Sequence, residues 1–204
     1  YEQARSHYQQ AQEMFVKVGN RMGISYTHNN LGVIYEESGD LEKAIQSYRE
    51  SLKIDTELGD KFGMASANFN LGEIHVKTNQ LALAQAYYEK ALQYAQEIAN
   101  PSQIASAIMG QARIARITGK TSESIKLSQT ALEIGRAASS RPIQLEALTN
   151  LSETYEKTGN YKQSLQFTRE LMVVKDSIEA EHRRLLTAES QTRYETEKKE
   201  KEIE

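Results

Sequence analysis

One phrase recurs along this chain at a fixed interval, and it constrains the fold more than any other feature. NLGVIYEESGD runs from Asn30 to Asp40, NLGEIHVKTNQ from Asn70 to Gln80 and NLSETYEKTGN from Asn150 to Asn160, with a weaker copy starting at Gly110, so that each step is 40 residues. The match extends beyond the phrase. Leu31, Leu71 and Leu151 follow the asparagines, with Gln111 as the exception; Gly32, Gly72, Ala112 and Ser152 are small; Tyr35, His75, Ala115 and Tyr155 come three later. Further columns hold Gly39, Asn79, Gly119 and Gly159, then Ala44, Ala84, Ser124 and Ser164, then Tyr48, Tyr88, Ser128 and Thr168, and finally Leu52, Leu92, Leu132 and Met172. Ala4, Tyr8 and Ala11 fit as the second half of an earlier unit. A chain built this way does not condense around one centre, because each unit buries its apolar face only against its neighbours.

Within a unit the spacing is helical. Leu31, Ile34, Tyr35 and Ser38 fall at i, i+3, i+4 and i+7, as do Leu41, Ala44, Ile45 and Tyr48. Each unit therefore predicts two helices, broken at Gly39-Asp40 and again at Gly59-Asp60. Glycine suits the left-handed residue just past a helix, and Asp or Asn suits the N-cap that follows. Asn100-Pro101 repeats the logic with proline at the first helical position, and Ser140-Arg141-Pro142 is a variant of it. Small residues at fixed places let neighbouring helix backbones approach, and a large side chain such as Tyr48 can fill the adjacent gap.

Leu, Gly, Tyr, then Gly-Asp, then Ala and Tyr at these offsets resemble the tetratricopeptide repeat (TPR). The usual unit is about 34 residues; the longer unit here resembles that of bacterial sensor proteins, peptide-pheromone receptors, kinesin light chains and cell-polarity adaptors. The resemblance covers residues 1 to about 180. It implies an all-α, right-handed superhelix of antiparallel helix pairs, an α-solenoid with a concave face. The expected division is a solenoid over 1–174, with a partial unit at 1–29, units at 30–69, 70–109 and 110–149 and a last one from 150, and a connector over 175–204. The third unit, with Gln111, Ala115 and Ser128 where Leu, Tyr and Tyr stand elsewhere, predicts a thinner core.

After Val174 the repeat stops. Neither Gly nor Pro occurs from Lys175 to Glu204, and Glu195–Lys199 and Lys198–Glu202 are spaced i, i+4. This predicts one long helix whose apolar positions (Ile178, Leu185, Leu186, Tyr194, Ile203) are too sparse for a strong coiled coil. It reads either as a polar cap on the array or as a connector. QTRYETEKKEKEIE, Gln191 to Glu204, resembles a linker that follows TPR arrays in bacterial signalling proteins. There a membrane span and then a histidine kinase, a helix-turn-helix regulator or a diguanylate cyclase often follow. Tyr1 and Glu204 both fall inside helical patterns, which gives the expectation of a piece cut from a longer protein.

Chemistry is sparse. The net charge of −3 gives no overall attraction to nucleic acid or an anionic membrane. With no cysteine there is no disulfide, thiolate metal site or cysteine nucleophile. His7, His28, His75 and His182 show no metal-ligand spacing, and His75, in a tyrosine column, reads as a packing residue. No phosphate-cradling glycine loop or G-x-S-x-G elbow occurs. Glu36 and Glu37 are adjacent on a helix and point apart. The tyrosines at 35, 48, 88 and 155 read as core. The expectation is a binding protein without catalytic residues, metal or cofactor.

The resemblance places the asparagine of each phrase (Asn30, Asn70 and Asn150) in the concave groove, where an amide can donate to and accept from an extended peptide. The alternative for each is a bond to a neighbouring helix. Arg113 and Arg116 stand at inward offsets among Glu73, Glu153 and Glu156. They either receive a carboxylate or pair with Glu73 and Glu153 across helices. The chaperone-clamp pattern of TPR proteins fails here, because Ser106 and Gly110 stand where its basic residues belong. The candidate groove set is thus Asn30, Asn70, Arg113, Arg116, Asn150 and Glu153. The expected partner is a protein or peptide, with homodimerisation through the last helix and no nucleic-acid or direct membrane contact. The expected role is the sensory or scaffolding region of a bacterial signal-transduction protein, on the periplasmic side by preference, with a free-standing cytoplasmic adaptor or pheromone-type regulator as the alternative.

Overall fold

A computed structural model describes residues 2–203, with side chains described through residue 193. Among the described residues there are nine α-helices and no strand: α1 (Glu2–Lys17), α2 (Arg21–Glu37), α3 (Leu41–Leu58), α4 (Lys61–Lys77), α5 (Leu81–Glu97), α6 (Pro101–Ile117), α7 (Thr121–Ala137), α8 (Arg141–Lys157) and α9 (Tyr161–Ile203). Helices start every 20 residues, at 21, 41, 61 and onward to 161. The NL phrase therefore lies in the second half of the first helix of each pair, not at its start.

The uniformity comes from the turns. Each ends with one left-handed residue, at 19, 39, 59, 79, 99, 119, 139 and 159; five are glycines, and Asn79, Ala99 and Ser139 take φ of 59°, 50° and 52°. The next amide then reaches back five residues, as in Asp40 N to Tyr35 O (2.9 Å), Gln80 N to His75 O (2.7 Å) and Asn160 N to Tyr155 O (2.9 Å). This 6→1 bond satisfies a carbonyl at the helix end and sets the reversal angle. Asn20, Asp40, Asp60 and Asn100 then cap the following helix through their side chains, each worth about 1 kcal/mol. Ser140 caps α8 without a side-chain bond.

Helix pairs stack asymmetrically. The first helices α2, α4, α6 and α8 touch one another in sequence, whereas α3, α5, α7 and α9 touch only first helices. The stack therefore curves with the first helices inside, and their outward stripe forms the concave face. Tyr48 and Tyr88, both fully buried, fill the seams. The ring of Tyr48 lies on Gly32, and that of Tyr88 lies between Gly72 and Gly110; a Cβ on any of these glycines would fall about 2.5–2.6 Å from a ring atom. The small–large packing expected for these positions is thus present.

The third unit is not thin. The largest apolar cluster lies there, with Met109, Ala112, Leu132, Ile143, Leu148 and Leu151 among its ten buried members, against four in the cluster around Tyr48 and three in that around Tyr88. Apolar residues outside the repeat columns replace the missing tyrosine, and a buried polar knot of Ser124, Ser128, Asn150 and Thr154 occupies its slot.

α9 begins as the partner of α8 and continues without a break past the point where earlier units turn. Arg141 pairs with Glu181 on it. In earlier units the corresponding ties are Arg21–Glu57 and Lys61–Glu97, one turn shorter. From Glu181 to Arg193 every residue is exposed. The pairs expected at Glu195–Lys199 and Lys198–Glu202, and the apolar Tyr194 and Ile203, lie outside the described side chains.

Candidate ligand groove

The concave face is held rung to rung by side chains from consecutive first helices. Asn70 Nδ2 donates to Asn29 Oδ1 (3.0 Å) between α4 and α2, and Lys77 Nζ donates to Glu36 (2.6 Å) two turns on. Gln103 Nε2 crosses from α6 to Ser66 Oγ (2.7 Å) and Phe62 O (3.1 Å) on α4. Arg113 pairs with Glu73, and its guanidinium also meets Tyr88 Oη at 3.3 Å. Arg116 pairs with Glu153 (2.8 Å) and donates through Nε to Asn150 Oδ1 (2.6 Å).

The three asparagines do not form a ladder of equivalent groups. Asn70 reaches back to α2. Asn30, with no described first helix behind it, donates to Tyr26 O of its own helix at 2.8 Å. For Asn150 the residue at the corresponding place is Met109, whose thioether is a far weaker acceptor than an amide oxygen. Asn150 turns inward instead, 5% exposed, donating to Ser124 Oγ (2.9 Å) and Ser128 Oγ (2.7 Å). Arg113 and Arg116 sit together as expected, and both engage glutamates across helices.

Two cavities open on this face. One, of about 300 Å³, is bounded by Asn29, Val33, Ser66, Phe69, Asn70 and Gln103 and has no charged wall. The other, of about 470 Å³, is bounded by Met109, Arg113, Leu145, Glu146, Thr149 and Glu153 and is ionic. The sequence reading missed Asn29, Phe69, Gln103 and Glu146. A signal for some of them existed: Asn29 and Phe69 adjoin Asn30 and Asn70, Glu146 lies one turn before Asn150, and Gln103 lies about three turns before Arg113 on the same helix. Burial pushes the Glu146 carboxyl above the usual carboxylate range and Arg113 opposes this. Burial and Glu73 push the Tyr88 hydroxyl far up, so it serves as a neutral donor.

No histidine lines either of these two cavities. His75 is 4% exposed, stacks on Tyr87 with ring centroids 5.3 Å apart and contacts Gln80 through Nδ1 at 2.9 Å. Among the described residues no cluster of three or more His, Cys, Asp or Glu is placed to hold a metal ion. No described helix is long and apolar enough to cross a membrane.

Comparison with known proteins places this geometry. In sequence the chain matches no curated protein. Solved structures similar to it include BtubC (BKLC) from P. vanneervenii, at 18% identity over 87% of this chain and 74% of that one, with a TM-score of 0.74. Another is a signal transduction ATPase with numerous domains carrying a tetratricopeptide repeat sensor, from Pyrococcus horikoshii, at 16% identity over 80% of this chain and 26% of that one, TM-score 0.67. A third is a Rap protein complexed with Competence and Sporulation Factor, at 16% identity over 86% of this chain and 59% of that one, TM-score 0.55. At these identities the likeness is one of fold. The family model described as tetratricopeptide repeat matches residues 1–57, 28–97 and 103–172, more than half of the sequence, and the chain belongs to the tetratricopeptide repeat family.

Proposed function

We propose that this chain is the peptide- or protein-binding sensory region of a bacterial signal-transduction protein. In this reading an extended segment lies along the concave face. Asn70, Arg113, Arg116 and Glu153 contact it, with Asn30 and Asn150 at its margins. Residues 1–174 bind, and 175–204 connect to an output and pair with a second copy.

The observation that carries the reading is the continuity of α9. The helix that packs on α8, beside the ionic end of the groove, is the same helix that leaves the array. A ligand that favours one curvature of the stack shifts the population of α9 positions by its differential affinity for the two curvatures. The tetratricopeptide repeat sensor of the Pyrococcus horikoshii ATPase and the factor bound to the Rap protein are in keeping with such a role.

The absence of cysteine allows a clean test. Dyes attached through Lys53→Cys and Arg184→Cys, both at exposed positions, report the distance between α3 and the free part of α9. Peptides selected from a displayed random library are then added. Binding that weakens on Asn70→Ala, together with a changed dye distance, supports the proposal. Binding indifferent to Asn70→Ala and Arg116→Ala overturns the groove. Groove binding with an unmoved distance overturns the relay and favours the free-standing adaptor.

A further inference from the structure

The two cavities of the concave face are the same site, met twice. Adding 80 to Asn29, Val33, Ala65, Ser66, Phe69 and Asn70 gives Met109, Arg113, Leu145, Glu146, Thr149 and Asn150, and all twelve residues line their respective cavities. The repeat builds one hollow between consecutive first helices, and two units later builds it again with different chemistry.

The first copy is neutral. Val33 and Phe69 give it apolar walls, and Asn70 Nδ2 donates to Asn29 Oδ1 at 3.0 Å. Gln103, whose Nε2 is committed to α4, leaves its Oε1 buried without a partner. Such an orphan acceptor is costly unless a donor reaches it. An apolar side chain fits the walls, and the backbone N–H beside that side chain is a donor of the kind Gln103 lacks.

The second copy is ionic, and its charges do not balance. Arg113 is engaged by Glu73, and Arg116 by Glu153 and Asn150. Glu146 stands where Ser66 stands in the first copy. Its nearest cation is the already engaged Arg113, 3.9 Å away, and its side chain is 43% exposed. The cavity therefore offers two arginines already held in ion pairs, Arg113 with its buried Nε still lacking an acceptor, and one carboxylate short of a cation. Its complement is a positive side chain, lysine or arginine.

Resting on the groove reading above, we propose that the ligand is an extended peptide with two anchors. An apolar residue enters the Val33/Phe69 hollow and a basic residue reaches Glu146. Neighbouring first helices pack about 8–10 Å apart, so the hollows, two helices apart, lie about 20 Å from one another. An extended chain covers about 3.3–3.6 Å per residue, which sets the anchors about six residues apart.

The test is a phage-displayed random library of 12-residue peptides, selected in parallel on the unaltered chain, on Glu146→Gln and on Glu146→Lys. The expected result is enrichment of Lys or Arg at a fixed spacing of about six from an apolar residue. In Glu146→Gln the basic preference is lost and the apolar one kept, and in Glu146→Lys an acidic residue replaces the basic one. A merely structural glutamate would not reverse the sign of the selected charge. Binders that compete for the groove but show no basic residue, or keep it in Glu146→Lys, overturn this proposal and leave groove binding intact. Binders indifferent to Val33→Asp and Phe69→Asp as well as to both Glu146 variants overturn the groove reading with it.

Discussion

The first two units and the last two solve one packing problem in opposite ways. In the first two, a glycine faces a tyrosine across the pair: Gly32 with Tyr48 and Gly72 with Tyr88. In the last two, a residue with a side chain faces a small hydroxyl: Ala112 stands in the glycine column with Ser128 in the tyrosine column, and Ser152 Oγ contacts Thr168 Oγ1 at 2.7 Å. The size lost in the tyrosine column is only partly returned in the glycine column, and the rest of the space is left to the neighbouring helix. The difference extends to the next helix. Behind Tyr88 only Gly110 fits, whereas behind Ser128 there is room for Asn150, whose amide then satisfies both Ser124 and Ser128. The inward turn of Asn150 is thus a consequence of the size exchange, whereas Asn70, at the same offset from Tyr48 as Gly110 is from Tyr88, shows that a ring in this column does not by itself exclude an asparagine.

The largest effect that would break this comparison is removal of a ring. Tyr88→Ala leaves a cavity walled by two glycines that cannot fill it, and is expected to cost about 3–5 kcal/mol. Ser128→Ala in the same column loses hydrogen bonds only, about 1 kcal/mol. Urea titration of both variants measures the gap, and equal losses would refute the account. Because a solenoid is stabilised by nearest neighbours, hydrogen exchange should rise first in α4, α5 and α6 for Tyr88→Ala.

A sharper version exchanges the solutions. Gly72→Ser puts a Cβ 2.6 Å from the Tyr88 ring, and overpacking of this kind costs about 1–3 kcal/mol. Combined with Tyr88→Thr it copies the fourth unit into the second. The double variant should be more stable than the sum of the singles by about 1 kcal/mol or more. Additive losses would mean that the two columns are independent.

On the polar side, Asn150→Ala leaves Ser124, Ser128 and Arg116 short of a partner in a closed space, and the expected loss is about 1–3 kcal/mol. Asn70→Ala, in the same column but partly exposed, should cost less than half as much, since Asn29 regains water. Thermal melts of the pair decide whether burial, and not the repeat position, sets the value of this asparagine.

The period, the helix pairs and the turns were legible in the sequence because they depend on local chemistry that recurs in phase: a left-handed residue, a cap, an apolar stripe. Even the size exchange was written there, in the columns Gly32, Gly72, Ala112, Ser152 and Tyr48, Tyr88, Ser128, Thr168. The breadth of the third core was not, because Met109, Ile143 and Leu148 lie outside the columns that define the repeat, and periodicity weights only those. The groove was half legible. Its stripe follows from helix geometry, and Arg113 and Arg116 are found that way. Which way an asparagine turns depends on what stands 41 residues earlier, Asn29 for Asn70 and Met109 for Asn150. Glu146 becomes conspicuous only when every other charge near it has been given its partner.

The smallest expected effect comes from another rung where the units differ. Phe15 faces Gly23 at one seam, and Asp55 takes the same place against Gly63 at the next. Asp55 is 2% exposed and meets only the hydroxyls of Ser25 and Ser51, with Asp60 adding like charge nearby and no cation paired with it among the described residues. Burial pushes its carboxyl above the ordinary range, against the opposing Ser25 hydroxyl. The folded state then holds this proton more tightly than the unfolded state, so stability is higher below the unfolded value and falls as pH rises through the folded one. Asp55→Asn removes the buried charge and keeps the shape. It should raise the melting temperature at pH 7 by less than any of the losses above, and the gain should shrink as the pH is lowered through the carboxylate range. A gain that is independent of pH would assign the effect to packing. A loss at pH 7 would show that the charged carboxylate, held by two hydroxyls, is what this seam requires.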